Sequence, residues 1–317
     1  MRVALFGGTG FVGSYLVDAL VDHGYRPRLL VRPGSEGRVT RGHAVTLVPG
    51  DVADEAAVAR VLQGADAAIY NIGLLREFPE RGISFRKLHF EAARRVMNQA
   101  ERLGVRRFLL MSANGVTAEG AGYQRTKYMA EQYLKTTDLE WTIFRPSVIF
   151  GNPRGRTEFA TRLYRDIVSS PLPAPLFFTG LLPHGAGSFS LSPVHVADVA
   201  EVFVRSLTDG DMPGRIELLG GPESLSWKDI LGRIAAVTEK PLLTLPVPVW
   251  GIRSAAALLD RFAFFPVTRE QLDMLVAGNT CDSRRLFKRY RLEARCFDQR
   301  SLSYLASGGG VTAIASS

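Results

Sequence analysis

The sequence predicts an α/β protein in which a doubly wound parallel sheet is joined to a smaller, mostly helical C-terminal lobe. Apolar, strand-like runs alternate with helical stretches through the first half of the chain, which is typical of a parallel sheet covered by helices on both faces. This rhythm ends near Phe150, where a proline-rich stretch follows. We therefore expect a core domain over 1–150, an interleaved extension of the sheet together with a C-terminal substrate or partner lobe over 151–306, and a flexible tail over 307–317.

The expected elements follow from hydrophobic periodicity and from helix-ending glycines. Strands are predicted at 2–7, 27–31, 44–48, 66–71, 106–111 and 141–145, with helices at 11–23, 54–63, 85–103 and 123–136. Gly24 and Gly104 fall where helix C-terminal caps belong. Beyond 150, we predict strands near 187–192 and 215–219 and helices near 196–208, 226–238, 247–264 and 268–277.

The composition is that of a folded globular protein, with 317 residues, 46% hydrophobic and 22% charged. Cys281 and Cys296 lack both C-x-x-C and zinc spacing, so we expect no metal site, no disulfide framework and a reducing compartment. Five prolines interrupt the uncharged stretch 167–197, which argues against a membrane-spanning helix. A strand begins at Val3 without a preceding secretory signal, so a cytoplasmic protein is expected.

The net charge of +8 calls for an anionic partner, such as a phosphorylated cofactor, a membrane surface or a nucleic acid. No nucleic-acid-binding motif accompanies the charge, so we expect no nucleic-acid partner. An apolar segment over 246–267 precedes a basic run over 284–295. This C-terminal pair either contacts a respiratory complex or the inner face of the membrane peripherally, or forms a core-facing helix beside a solvated one.

A glycine-rich string after the first predicted strand indicates a phosphate-binding turn. Gly7 permits the turn, Gly10 allows close approach of a pyrophosphate, and Gly13 lets the following helix lie near the strand. The helix N-terminus faces the phosphate charge. The order strand, turn, helix predicts a Rossmann-type dinucleotide site. Its expected contact residues are Gly7, Thr9, Gly10, Phe11, Val12 and Gly13.

The end of the second strand distinguishes the two nicotinamide coenzymes. An acidic residue there suits the ribose hydroxyl of NAD, whereas a basic one accommodates the 2′-phosphate of NADPH. Arg32 occupies this position, with Ser35 and Arg38 nearby as helpers and no acid before Glu36. The sequence therefore predicts NADPH in preference to NAD, with a merely solvated Arg32 as the alternative.

Asp51 and Val52 follow the third predicted strand and suit contact with an adenine ring. The Asp51 carboxylate and the Val52 amide would make this contact. Equally, Asp51 could cap the helix that begins near Asp54.

Tyr123 and Lys127 place a phenol and an ammonium group four residues apart, on one face of a predicted helix. Free tyrosine titrates at about 10. A nearby lysine cation and the positive nicotinamide ring favour the phenolate, which makes Tyr123 a candidate for proton transfer.

Five strings together resemble the short-chain dehydrogenase/reductase superfamily, in its extended or atypical, epimerase/dehydratase-like branch. Within that branch they are most similar to the NADPH-binding accessory subunit of respiratory complex I and its bacterial relatives. The strings are GGTGFVG, HFEAARRVMNQAERLGVRRFLLMSANGV, YQRTKYMAEQYL, WTIFRPSVIFGNP and SPVHVADVAEVF.

The resemblance implies roles for individual residues. Tyr123 would transfer the proton, and Lys127 would bind the nicotinamide ribose and lower the pKa of Tyr123. Five further residues would line the cofactor: Asn71, Ile72 and Gly73 after the fourth strand, and Pro146 and Val148 against the nicotinamide.

Two positions depart from the pattern of the superfamily. Asn114 stands where members usually carry a hydroxyl that binds the substrate carbonyl, so either the Asn114 amide or the Ser112 hydroxyl would have to serve. His89 stands where extended members usually carry asparagine. Arg145, at the end of the sixth strand, pairs either with an internal carboxylate or with substrate.

The sequence thus predicts an NADPH-dependent oxidoreductase or epimerase-like enzyme that acts on a carbonyl or carbinol carbon of an unknown small molecule. The alternative is a non-catalytic NADPH-binding accessory or assembly protein of a quinone-linked membrane complex. The intact Tyr123 and Lys127 favour the enzyme, and Asn114 favours the accessory protein.

Overall fold

A parallel sheet organises the first half of the chain in the computed structural model, which describes residues 1–74, 76–251 and 275–306. The strands found there are β1 (Arg2–Phe6), β2 (Arg26–Val31), β3 (Thr46–Pro49), β4 (Ala67–Tyr70), β5 (Arg107–Met111), β6 (Glu140–Pro146), β7 (Ile149–Phe150), β8 (Ala174–Phe178), β9 (Ser190–Leu191), β10 (Val194–His195), β11 (Arg215–Leu219), β12 (Leu225–Ser226) and β13 (Thr244–Pro248).

The helices connect these strands. In the described ranges they are α1 (Phe11–Asp22), α2 (Glu55–Leu62), α3 (Ala92–Arg102), α4 (Gly122–Leu134), α5 (Phe159–Leu163), α6 (Val196–Ser206), α7 (Trp227–Val237), α8 (Arg284–Arg289) and α9 (Gln299–Leu302). Two π-helical turns add to them, over Arg86–Glu91 and Tyr164–Val168. None of the described helices is long and apolar enough to cross a membrane.

The main sheet has seven strands in the order β11-β6-β5-β4-β1-β2-β3, and every neighbouring pair is parallel. From β1 the chain first adds β2 and β3 on one side of the sheet. It then returns to add β4, β5, β6 and β11 on the other side, so the order of the strands reverses between β1 and β4. Ligands of such sheets bind beyond the carboxyl ends of the strands at this reversal. The predicted doubly wound fold is confirmed.

Helices cover both faces of this sheet. Ala4 and Phe6 of β1 pack into a core cluster with buried residues of α2, α3 and α4. Val3 and Leu5 are equally buried and point to the opposite face, because side chains alternate along a strand. Helices α1 and α6 pack against each other. Burial on both faces explains why these strands read as continuous apolar runs.

The chain divides into two compact units, each assembled from separated segments. The first contains Met1–Pro146, Val196–Leu219 and Ser283–Leu292 and holds the seven-stranded sheet. The second contains the described parts of Ser147–His195, Gly220–Asp282 and Glu293–Ser317. The segments 196–219 and 283–292 belong to the unit that holds the sheet, and the expected tail over 307–317 lies outside the described residues.

The predicted elements of the first unit are confirmed, with small shifts at their ends. Strand β3 begins two residues later than expected because Gly42–Ala44 forms a 3-10 turn before it. The helix expected over 85–103 is split into the π-helical turn Arg86–Glu91 and α3. Gly24 and Gly104 follow their helices with φ of 74° and 71°, the left-handed conformation that favours glycine at a helix end.

The second unit contains more strand than predicted. The proline-rich stretch, expected to be a connection, includes β8, which pairs in parallel with β13. Pro175 fits there because the amide of Ala174 bonds to Leu243, so the next residue's nitrogen points away from β13. The strand expected near 187–192 is shorter than predicted and comprises only β9. It follows Gly185 and Gly187, which both have positive φ.

The predicted C-terminal helices lie only partly within the described residues. The helix over 226–238 is confirmed as α7. The one predicted over 247–264 begins too early, because residues 247 and 248 complete β13. The rest of that prediction beyond 251, and residues 268–274 of the next helix, lie outside the described residues. In the basic run, Leu286 and Phe287 of α8 are buried, while Arg289 pairs with Asp209 and Asp211.

Replacing Gly13 by alanine tests the close packing of α1. A Cβ at this position would lie 2.0 Å from the backbone oxygen of Gly7, so we expect Gly13→Ala to lower the free energy of unfolding by about 3 kcal/mol or more. Gly232→Ala is the matched control, since it is also inside a helix but has open space around it. That change should stabilise by up to about 1 kcal/mol. Urea denaturation of both variants measures the difference, and equal behaviour would contradict the packing.

Candidate functional site

The glycine turn has the close geometry that its sequence predicts. Gly7 has φ of 94°, a conformation that favours glycine, and the Gly10 amide donates to the Gly7 carbonyl at 3.2 Å. Gly13 has no room for a side chain against the Gly7 oxygen. The turn therefore leads directly into the N-terminus of α1, with Thr9, Phe11 and Val12 beside it. Amide groups of a first helical turn bind anions well.

The backbone after β4 packs on this turn. The carbonyl group of Asn71 lies so near Gly7 that a Cβ there would be 2.9 Å from it. The Asn71 amide donates to the Phe6 carbonyl at 2.9 Å, and Gly73 faces open space. The structure thus brings Asn71, Ile72 and Gly73 beside the glycine turn, where they were predicted.

The three residues predicted to select NADPH share one turn after β2. The Ser35 amide bonds to the Arg32 carbonyl at 2.9 Å, and the Arg38 amide bonds to the Ser35 carbonyl at 3.1 Å. Arg32 and Arg38 are exposed, and Ser35 is half-buried. The backbone thus brings Arg32, Ser35 and Arg38 into one turn at the strand end that faces the ribose in such sheets.

Asp51 and Asp54 divide the roles that the sequence left open. The Asp54 carboxylate caps α2 by accepting from the Ala56 amide at 2.9 Å. The Asp51 carboxylate accepts from the Ala53 amide at 2.9 Å, so it stabilises the preceding turn and does not cap the helix. Val52 is buried in the core beneath. Adenine contact by Asp51 and Val52 stays a prediction.

Lys127 lies in the interior close to the ring of Tyr123. The Lys127 ammonium is 5.7 Å from the ring centroid and donates to the Met111 carbonyl at 3.0 Å. Burial lowers the pKa of Lys127 to about 8, which the Glu131 carboxylate partly opposes. Burial raises the pKa of Tyr123. The phenol is therefore protonated at neutral pH, whereas the sequence suggested that its pKa would be depressed.

A buried carboxylate, Glu131, ties α4 to the ends of β5 and β6. It is fully buried and binds Arg145 through both oxygens, at 2.9 and 2.5 Å. It also accepts from the Ser112 hydroxyl at 2.5 Å. Arg145 thus pairs internally, which was one of its two predicted roles. The Ser112 hydroxyl is occupied by this cluster and is not directed toward a substrate carbonyl.

Asn114 lies just beyond β5. Its backbone amide donates to the Pro146 carbonyl at 2.8 Å, and its side-chain oxygen accepts from the Gly115 backbone amide at 3.1 Å. With Ser112 engaged by Glu131, Asn114 is the remaining residue predicted to bind a substrate carbonyl. Val148 belongs to the second unit, where its carbonyl accepts from Val194, and its predicted contact with the nicotinamide stays a prediction.

Sequence reasoning missed the role of Glu131 and that of the residues around His89. Glu131 was detectable as an acid one turn after Lys127, on the face of α4 that the periodicity assigns to the core. Thr126 and Leu74 carry no such signal. Each is a common residue whose hydrogen bond to His89 depends on three separate segments coming together.

Comparison with known proteins agrees with the geometry of the glycine turn. The family described as NAD(P)H-binding matches residues 7–166, half of the chain. The chain belongs to this NAD(P)-binding family. Together with the relatives below, the match places the chain in the extended, epimerase-like branch of the short-chain dehydrogenases/reductases.

Two relatives illustrate the range of the family. The ceramide reductase of Caulobacter vibrioides is 30% identical over 264 residues, which cover 82% of this chain and 78% of the relative. The 40 kDa subunit of NADH-ubiquinone oxidoreductase of Neurospora crassa is 24% identical over 274 residues, or 83% and 67% of the two chains. Among solved structures, the UDP-glucose 4-epimerase of Thermus thermophilus in complex with NAD shares the fold. Its TM-score is 0.72 at 18% identity, and the match covers 97% and 98% of the chains.

Lys127→Met should stabilise the protein at neutral pH. The buried ammonium lowers stability fully below its folded-state pKa of about 8. Because the unfolded pKa is about 10.4, that cost disappears as pH rises from 8 to 10.4. We expect the variant to gain about 1 kcal/mol or more at pH 7 and little at pH 10.5, measured by urea denaturation.

Lys135→Met, at the exposed end of the same helix, is the control and should change stability little at either pH. A Lys127→Met protein that is less stable than the wild type at pH 7 would show that the ammonium makes a net favourable contribution there.

Proposed function

We propose that the protein is an NADPH-dependent oxidoreductase or epimerase-like enzyme that acts on a carbonyl or carbinol carbon. The observation that carries this proposal is the Lys127 ammonium held over the Tyr123 ring, 5.7 Å from its centroid, in the same unit as the glycine turn. A dinucleotide turn alone needs neither residue. Burying a lysine side chain costs folding free energy. Buried groups with shifted pKa values are concentrated at functional sites, which favours a function for Lys127.

The bound coenzyme supplies hydride, and the residues of this chain manage binding and the proton. The glycine turn and the α1 N-terminus hold the pyrophosphate. Lys127 donates hydrogen bonds to the ribose, and Tyr123 Oη gives its proton to the carbonyl oxygen. Because burial raises the pKa of Tyr123, the phenol holds its proton until a stronger base forms.

The substrate class is proposed from the relatives. A relative that is 30% identical bears the name ceramide reductase, which supports a lipid carbonyl as the first class to assay. Nucleotide sugars form the second class, since a more distant relative is the UDP-glucose 4-epimerase of Vibrio cholerae, 21% identical over 272 residues.

The preference for NADPH is tested by Arg32→Ala. Loss of the guanidinium should weaken NADPH at least tenfold and leave NADH nearly unchanged, because only NADPH carries the 2′-phosphate. Arg26→Ala, at the exposed N-terminal start of β2, should leave the affinity for both coenzymes unaffected. Fluorescence titration measures the dissociation constants of both coenzymes for the wild type and the two variants, and equal losses for the two coenzymes on Arg32→Ala would refute the preference.

Proton transfer by Tyr123 is tested by Tyr123→Phe. We expect NADPH oxidation with an accepted carbonyl substrate to fall about 100-fold or more, with NADPH affinity retained, since the hydroxyl is the proton donor. Tyr133→Phe is the control on the same helix, where the lost group bonds to Asn98. Full activity of Tyr123→Phe would eliminate this role.

One observation in this site favours a second function. The Ser112 hydroxyl is committed to Glu131 and the usual hydroxyl position holds Asn114, so the proton relay typical of the superfamily is incomplete. The alternative is a non-catalytic NADPH-binding accessory or assembly protein of a quinone-linked membrane complex, the kind of complex to which the Neurospora relative belongs by name. Complementation of a deletion strain by Tyr123→Phe would favour this alternative.

Peripheral attachment belongs to the same proposal. In the second unit, large apolar side chains are exposed around β8 and β13, at Leu172, Leu181, Leu182, Leu243, Leu245 and Trp250. Exposed apolar groups of this kind support contact with a membrane or a larger complex through the C-terminal part. Under either function we propose a cytoplasmic protein, with attachment at the inner face of the membrane.

A further inference from the structure

His89 forms a bridge between two parts of the candidate site. It lies in the π-helical turn Arg86–Glu91 and is 2% exposed. Its Nε2 accepts a hydrogen bond from the Leu74 amide at 3.0 Å, and its Nδ1 lies 3.2 Å from the Thr126 hydroxyl. Leu74 continues the loop that packs on the glycine turn, and Thr126 lies on α4 between Tyr123 and Lys127.

The hydrogen-bond partners fix the protonation of this ring. A backbone amide only donates, so Nε2 must be unprotonated, and the neutral ring then carries its proton on Nδ1. The Nδ1–H group donates a hydrogen bond to the Thr126 hydroxyl, which in turn donates to the Gly122 carbonyl at 2.8 Å. The chain of bonds runs in one direction from Leu74 to Gly122, and each group in it is satisfied.

The surroundings keep the ring neutral. Burial lowers the pKa of His89 to about 2, and the nearby Lys127 ammonium acts in the same direction. A protonated ring would also point an N–H group at the Leu74 amide. His89 is therefore unsuited to exchange protons with a substrate near neutral pH, and its use lies in its geometry.

The same ring contacts the phenol of Tyr123. The two rings are perpendicular with centroids 5.2 Å apart. Phe85 stacks on His89 at 5.3 Å and meets Tyr123 edge-on at 5.8 Å. Perpendicular aromatic contacts of this kind are favourable and directional. The phenol is thus held by a ring that is itself anchored at both nitrogens.

We infer that His89 is a positioning residue that fixes the Tyr123 phenol relative to the loop Asn71–Leu74, and hence relative to the bound nicotinamide. The inference rests on the proposed function, since it assigns the proton donor to Tyr123. Small displacements of a reacting group are costly, because the reaction needs donor and acceptor in a narrow range of geometry. Anchoring one ring between the cofactor loop and α4 keeps this geometry.

The test compares His89→Phe, which keeps an aromatic ring but loses both hydrogen bonds, with His43→Phe at an exposed histidine of the same unit. We expect His89→Phe to lower kcat for NADPH-dependent carbonyl reduction about tenfold or more, because a small displacement of the phenol slows proton transfer. The NADPH dissociation constant should change less than about threefold, because the glycine turn and Arg32 remain. Unchanged kcat in His89→Phe would overturn the inference.

Two further variants separate positioning from simple destabilisation. His89→Gln retains one acceptor and one donor, so it should recover part of the lost kcat, and no recovery counts against the inference. Thr126→Val removes the partner of Nδ1 alone. Its loss should not add to that of His89→Phe in the double variant, since both break one chain of bonds. Additive losses would show that the two residues act separately.

A spectroscopic measurement tests the state of His89 without depending on enzyme turnover. Nitrogen-15 spectra of labelled histidine should show His89 neutral from pH 5 to 8, with the proton on Nδ1, and its Nε2 signal should shift when NADPH binds. A proton on Nε2, or titration within that range, would overturn the inference. A wild-type protein that binds neither coenzyme would instead refute the proposed function, which is a distinct result.

Discussion

The close contact between the first turn of α1 and the end of β1 is the constraint on which the rest of the candidate site depends. Gly13 lies against the Gly7 oxygen with no room for a side chain, so the helix axis is held at the smallest separation that a backbone allows. The loop after β4 packs on the same glycine turn. Any outward movement of α1 would therefore displace both the amide groups of its N-terminus and the neighbouring loop.

A second fixed point lies at the other side of the sheet reversal, where Glu131 joins α4 to β5 and β6. Its carboxylate is fully buried and is satisfied by Arg145 and Ser112. Loss of one partner from such a pair leaves an uncompensated buried charge. Because the Ser112 hydroxyl anchors this carboxylate, it is not available to replace the hydroxyl whose usual position Asn114 occupies.

The sheet and the glycine turn could be predicted because their signals are local. Buried parallel strands appear as apolar runs, and the spacing of Gly7, Gly10 and Gly13 reflects contacts within one strand–turn–helix unit. Strand β8 escaped prediction because Pro173 and Pro175 flank its first residue, and the hydrogen bond from the Ala174 amide to the Leu243 carbonyl forms only when the chain leading into β13 is in place. His89 escaped because its partners, Leu74 and Thr126, are 15 residues before it and 37 residues after it in the sequence.

The π-helical turn over Arg86–Glu91 has a consequence for the evolution of this chain. Such a turn holds one residue more than the α-helical turn it replaces. Removal of a single residue would restore regular α-helical winding, and the backbone of this turn around His89 would have to rearrange. His89 lies inside this turn, so its ring would shift from its place against Phe85 and Tyr123. The length of this helical turn is thereby coupled to the position of the phenol on α4.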